Sequence, residues 1–213
     1  MVPTKLQKIQ TIRLMLLWTP RPHGNDSQSV IERAIAGGVD AIQIRVKDAT
    51  TRELFEFGMK AKDITDRCGV LLFINDRADV AIACGADGVH LGQDDLTIAE
   101  ARSFAPESLA IGYSTHSIEH VRDACAHGAD LLGFGPMFQT ATKPNEPAIG
   151  PSELATACAE STVPVLAIGG LTPERILTIG ARRAAVSSYL LDSADPERAA
   201  RELRRALERN ATK

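Results

Sequence analysis

The sequence predicts a single (β/α)8 barrel spanning residues 1–213, and three observations predict it. Eight short apolar runs recur along the chain, at 12–18, 41–44, 70–74, 88–91, 109–112, 131–134, 163–168 and 184–187. Stretches of helical periodicity alternate with them, at 27–37, 51–67, 77–84, 97–104, 117–127, 151–159, 173–180 and 196–209. The phrase Gly37-Gly38-Val39-Asp40 echoes as Gly85-Ala86-Asp87 and Gly128-Ala129-Asp130, each time between a helical stretch and an apolar run. Near-continuous apolar strands separated by helices are the signature of parallel strands covered on their outer face. Eight such units are the number that closes into a barrel.

Taken in order, each element carries its own signals. The run 12–18 follows Lys5 and Lys8, but it is short, is broken by Arg13 and ends in Thr19-Pro20 with no small-residue cleavage site. It reads as a strand, not a signal peptide. Asp26 or Ser27 can cap the first helix and Gly37-Gly38 stop it; Thr50 or Thr51 can cap the second, with Glu53 in its first turn. Gly85, Gly128 and Gly180 stand where helices stop and supply a left-handed cap. Thr172-Pro173-Glu174 places proline at a first helical position. The segment 138–149 holds two prolines and no helical pattern, and is expected to be a long loop over the functional end.

Composition narrows the function. Lys+Arg minus Asp+Glu is 24 − 27 = −3, and aromatic residues are 4%, which speaks against nucleic-acid binding by charge or by stacking. No run reaches the length of a membrane span. Cys68, Cys84, Cys125 and Cys158 are widely spaced with no Cys-x-x-Cys pair. They are expected to be buried thiols of a cytoplasmic protein.

Barrels of this kind do their chemistry where the strands end. After the second strand, Gln43, Arg45 and Lys47 share one face while Ile44 and Val46 face the other way. A guanidinium and an ammonium on one face suit a phosphate chain better than a rim of salt bridges. Asn75-Asp76 follow the third strand and Asp94-Asp95 the fourth. Taken alone, Asp76 and Asp95 each read as caps for the helices that follow. Beside Arg45 and Lys47 they read as a Mg2+ site, since that ion uses one or two carboxylates plus phosphate oxygens and water. Ser114 or Thr115 can reach a ligand after the fifth strand, with Ser117 as a cap. His116 and His120 have zinc-pair spacing but lack a third ligand. Thr140, Thr142 and Lys143 follow the sixth strand, Gly169-Gly170 the seventh, and Ser187-Ser188 the eighth. The last two pairs sit where this fold often holds phosphate, although a tight turn alone also explains two glycines. Two anion sites at one mouth suggest two phosphorylated substrates and a group transfer that releases pyrophosphate.

These segments resemble the thiamin phosphate synthase (thiamin-phosphate pyrophosphorylase) family. The resemblance runs through QIRVKD at 43–48, INDRADVA at 74–81, GADGVHLGQDDL at 85–96, IGYSTHS at 111–117, GFGPMFQTATK at 133–143, AIGG at 167–170 and AVSS at 185–188. It implies a barrel that joins 4-amino-2-methyl-5-hydroxymethylpyrimidine diphosphate to 4-methyl-5-(2-phosphoethyl)thiazole, giving thiamin phosphate and pyrophosphate. Its small-molecule partners would meet a Mg2+ ion held by Asp76 and Asp95. Gln43, Arg45, Lys47, Asn75 and Lys143 would bind the diphosphate, and Ser114 would lie by the pyrimidine. Arg45, Lys47, Lys143 and Ser114 would form the catalytic set. Thr140, Thr142, Gly170, Ser187 and Ser188 would hold the thiazole phosphate. The implied reaction is dissociative, with pyrophosphate leaving before the thiazole nitrogen attacks. Val46 stands where the family usually has glutamate, on the face away from the clamp, and the first strand departs from the family pattern. Two rival readings are a thiazole tautomerase of the same fold, with a histidine near His116 as acid and base, and a non-catalytic binder of thiamin intermediates. The paired Asp94-Asp95 favours the synthase. Both a single chain and a homo-oligomer are compatible with the sequence.

Overall fold

The computed structural model describes residues 4–20, 27–139 and 148–212. Its eight strands are β1 (Leu14–Trp18), β2 (Ala41–Ile44), β3 (Leu71–Asn75), β4 (Gly88–Leu91), β5 (Ala110–Thr115), β6 (Leu131–Phe134), β7 (Val165–Ile168) and β8 (Ala184–Val186). They pair in parallel in chain order, and β8 closes back on β1 to complete the barrel. The outer helices are α2 (Ser27–Ala36), α3 (Thr51–Cys68), α4 (Ala78–Ala83), α5 (Ile98–Phe104), α6 (Ile118–Ala126), α7 (Pro151–Glu160), α8 (Pro173–Ile179) and α10 (Pro196–Ala211). A helix before the barrel, α1 (Lys5–Thr11), and a single turn after β8, α9 (Ser188–Leu191), complete the described elements.

Strand alternation sorts the apolar residues into two layers. Leu14, Leu16, Ile42, Ile44, Leu72, Ile74, Val89 and Leu91 join the layer between strands and helices, and Val46 packs against it. Met15, Leu17, Ala41, Leu71, Phe73, Ala110, Leu131 and Leu166 form the inner cluster. Ile9 and Ile12 belong to that inner cluster and are almost wholly buried. The α1 segment therefore plugs the end where the strands begin and leaves the opposite end open. Sequence periodicity passes over α1, yet its capping box is complete, with Thr4 and Gln7 bonding each other's backbone N–H groups.

The repeated glycine-to-aspartate phrase has a direct physical role. Gly38, Gly85 and Gly128 take positive φ, and the aspartates that follow tie adjacent strands together. Asp40 Oδ2 accepts from the N–H groups of Arg13 and Leu14, at 2.8 and 3.0 Å. Asp87 Oδ2 accepts from Leu72 N–H at 2.9 Å, and Asp130 Oδ2 from Ile111 N–H at 2.7 Å. Each carboxylate thus satisfies a strand-entry N–H that the ladder leaves unpaired.

Most expected helix ends hold. Thr50, Ser117 and Thr172 cap α3, α6 and α8, and Gly180 ends α8 at φ 67°. Three expectations change. The fifth strand runs on to Thr115, so Ser114 and Thr115 lie within it rather than after it. Ser187 and Ser188 begin a short helix instead of lying in an open loop. Of the four cysteines only Cys84 is buried; Cys68 and Cys158 are exposed and Cys125 is intermediate, all with free thiols. Cys68 closes the long amphipathic α3, where a solvent-facing position accepts a small side chain.

Candidate active site

Where the strands end, a cavity of about 1240 Å³ opens, and it draws on most strands of the barrel. Gln43, Arg45 and Lys47 from β2 and its extension all line it. Gln43 is only 3% exposed and donates from Nε2 to Asn75 Oδ1 at 2.7 Å, fixing the amide across β2 and β3. Thr19 Oγ1 donates to the Arg45 carbonyl at 2.7 Å and so ties the first loop to the cation-bearing segment. Among the described residues neither Arg45 nor Lys47 enters a salt bridge, so the rim-bridge alternative finds no partner here. Their charge faces the cavity instead.

Asp76 and Asp95 also line the cavity, and neither is a helix cap. The cap position of α4 is Arg77, with no side-chain bond, and that of α5 is Thr97. Asp76 adopts φ 63°, the one described non-glycine residue at positive φ. Its N–H donates to His90 O and the Arg77 N–H reaches back to Asn75 O, both at 2.8 Å. A tight turn through a sparsely populated conformation persists only when its surroundings enforce it, and such turns cluster at functional sites. This one turns the Asp76 carboxyl toward Asp95, whose Oδ2 accepts from Gly92 N–H at 2.7 Å.

Burial, the hydrogen bond to Asp95 and repulsion from its charge push Asp76 up to about 6, while Lys47 and Arg45 pull it down. Among the described residues no three His, Cys, Asp or Glu side chains converge. A carboxylate pair in mutual contact fits a hard divalent cation whose remaining positions go to phosphate and water, as Mg2+ prefers. The raised value has a consequence for stability. Between about pH 4 and 6 the folded Asp76 holds a proton that the unfolded chain has lost. This group's contribution therefore falls as pH rises through that window and is flat above it. Urea midpoints without metal are expected to show this component in the wild type and to lose it in Asp76→Asn. An identical pH dependence in both proteins would contradict the assignment.

Ser114 projects into the cavity from β5. Its backbone carbonyl accepts from Gln93 Nε2 at 2.6 Å and its Oγ lies 3.0 Å from His90 Nε2. Thr115, the other hydroxyl considered from sequence, is fully buried and donates to Gly133 O at 2.9 Å, so it faces no ligand. His90 is 8% exposed, and burial pushes its imidazolium down to about 4, so the ring is neutral. Its place on the inner face is legible from the alternation Gly88-Val89-His90-Leu91, a polar residue where an apolar one is expected. His116 lines the mouth with Nδ1 2.5 Å from Gly135 O, which fixes a proton on that nitrogen.

On the far side, Gly169 and Gly170 take φ 100° and 62°. A Cβ at Gly169 would lie 2.8 Å from Pro136 Cβ, so this turn requires glycine on steric grounds alone. Gly170, Ser187 and Ser188 nevertheless face the same cavity. Arg175, not singled out from sequence, donates to Gly170 O at 2.6 Å and lies 4.7 Å over the Phe138 ring. It joins the β7 loop to the segment leaving β6, a pairing that depends on tertiary proximity rather than spacing. Thr140, Thr142 and Lys143 lie outside the described residues.

Comparison with known proteins points to one family. The model of the thiamine monophosphate synthase family matches residues 14–190. The thiamine-phosphate synthase of Thermus thermophilus is 43% identical over 201 residues, covering 92% of this chain and 97% of the relative. That of Pyrococcus horikoshii is 41% identical over 181 residues, covering 84% and 87%. The solved thiamine phosphate pyrophosphorylase from Pyrococcus furiosus is 35% identical, covers 94% of this chain and 98% of its own, and superposes with a TM-score of 0.84.

Proposed function

Because the chain belongs to the thiamine monophosphate synthase family, we propose that its barrel mouth joins the pyrimidine diphosphate to the thiazole phosphate, releasing thiamin phosphate and pyrophosphate. One observation carries the reading: Arg45 and Lys47, free of salt bridges among the described residues, share a cavity with the carboxylate pair Asp76 and Asp95. Cations and a carboxylate pair at one strand-end mouth suit a diphosphate that must leave.

Gln43, Arg45, Lys47, Asn75 and Lys143 bind the diphosphate. Asp76 and Asp95 would hold Mg2+, which when bound would supply charge neutralisation for the pyrophosphate. The bond between the pyrimidine methylene carbon and the bridging oxygen breaks, and its electron pair leaves with pyrophosphate. The resulting cation is stabilised by the amino group on its own ring. The thiazole nitrogen lone pair then forms the new carbon–nitrogen bond. No proton moves in either step, so no side chain acts as base or nucleophile. Ser114 orients the pyrimidine, while Thr140, Thr142, Gly170, Ser187 and Ser188 hold the thiazole phosphate in line. The rate comes from alignment and preorganised charge.

The protein acts as one barrel domain in the cytoplasm on small molecules. Among the described residues no helix is long and apolar enough to cross a membrane. Incubation with both substrates and Mg2+ is expected to yield thiamin phosphate and pyrophosphate one to one. A thiazole isomer without pyrophosphate would favour the tautomerase instead, and binding without turnover a non-catalytic protein. Crystals soaked in sulfate are expected to carry an anion against Gly170 and Ser187–Ser188. An anion found only at Arg45 would contradict the thiazole-phosphate placement.

A further inference from the structure

His90 is the buried polar side chain at the mouth that the reaction above leaves without a role. It crosses from β4 over the inner face of β5 and β6, where the neighbouring positions are Gly112 and Gly133. A Cβ at Gly112 would lie 2.5 Å from His90 Nδ1, and one at Gly133 would lie 3.4 Å from Nε2. The absent side chain at Gly112 therefore leaves room for the ring, and Gly133 on the next strand lies in ordinary contact range of it. There, among the described residues, Nδ1 is buried with no hydrogen-bond partner, while Nε2 lies 3.0 Å from Ser114 Oγ.

A neutral imidazole carries one N–H and one bare nitrogen. A buried N–H without an acceptor is rarer than a bare acceptor without a donor. The proton therefore belongs on Nε2, donated to Ser114 Oγ. With its oxygen engaged, the serine hydroxyl has its own proton to give. Among the described residues that hydroxyl has no second partner. Its backbone is held in turn by Gln93, so both ends of Ser114 are fixed.

We propose that His90 is a positioning residue that sets Ser114 as a hydrogen-bond donor into the mouth, where it meets a ring nitrogen of the pyrimidine. The proposal rests on the placement of the pyrimidine beside Ser114 given above. The other polarity, with Ser114 donating to His90, would present an acceptor to the substrate and select its amino group instead.

Two measurements test this, and the first is independent of activity. In histidine-15N-labelled wild-type protein, His90, assigned by its loss in His90→Gln, is expected to show the Nε2–H tautomer. The Nδ1–H tautomer would overturn the proposal whether or not the protein turns over. In the second, His90→Ala and Ser114→Ala are each expected to raise KM for the pyrimidine diphosphate about five- to tenfold, the scale of one neutral hydrogen bond. KM for the thiazole phosphate stays within about twofold, the scale expected of a site with no shared partner. The double variant is expected to be no worse than Ser114→Ala, and His90→Gln, which keeps an N–H donor, to recover most of the loss. Multiplying losses, or equal effects on both substrates, would overturn the positioning role. An inactive wild type showing the Nε2–H tautomer would count against the synthase reading while leaving the His90–Ser114 polarity standing.

Discussion

Arg45→Ala is expected to leave the fold intact and to slow pyrophosphate release by about thirty- to several-hundred-fold, the 2–4 kcal/mol that a preorganised charged contact is worth to a departing anion. The fold survives because, among the described residues, the guanidinium makes no salt bridge and its methylene stem stands at the cavity wall. The loss is expected in kcat, since charge on the leaving oxygen grows only as the bond breaks. Lys143→Ala is expected to behave alike. Single-turnover rates and a thermal melt check both points, and near wild-type turnover in both variants would remove these side chains from the leaving-group clamp.

Asp95→Asn is expected to damage synthesis far more than His116→Asn. The amide keeps the shape and can still accept from Gly92 N–H, which the carboxylate now does at 2.7 Å. It carries no charge for a divalent ion, so activity should fall steeply and recover in part with excess Mg2+. It also relieves the repulsion with Asp76. The metal-free variant should therefore melt a few degrees higher, about 2–4 °C for each kcal/mol gained in a domain this size. His116 already commits Nδ1 to Gly135 O and moves no proton in a dissociative reaction. Its replacement should cost only a modest factor. The reverse order would assign the mouth to the tautomerase.

The barrel was legible because its signals are local and repeated. Apolar runs, helix caps and the Gly-x-Asp phrase each depend on neighbours within a few residues, and Asp40, Asp87 and Asp130 show why the phrase recurs. The cation-bearing face of β2 was legible for the same reason, since alternation alone places Gln43, Arg45 and Lys47 together. What escaped depends on contacts far apart in sequence. The plug α1 shows its meaning only when Ile9 and Ile12 meet the inner cluster. The reach of Arg175 to Phe138 joins two loops, and His90 needs the glycine at position 112 on the neighbouring strand. Asp76 was readable as a cap or as a ligand. Its positive φ and the cap position at Arg77, which are backbone facts, separate the two.

The central claim is that charge held at the mouth by the carboxylate pair drives pyrophosphate out. It is tested most directly by pyrophosphate release with both substrates, measured after EDTA treatment and again after Mg2+ is restored. The account predicts loss of release in EDTA and recovery with Mg2+, in step with thiamin phosphate. Full release in EDTA would contradict it.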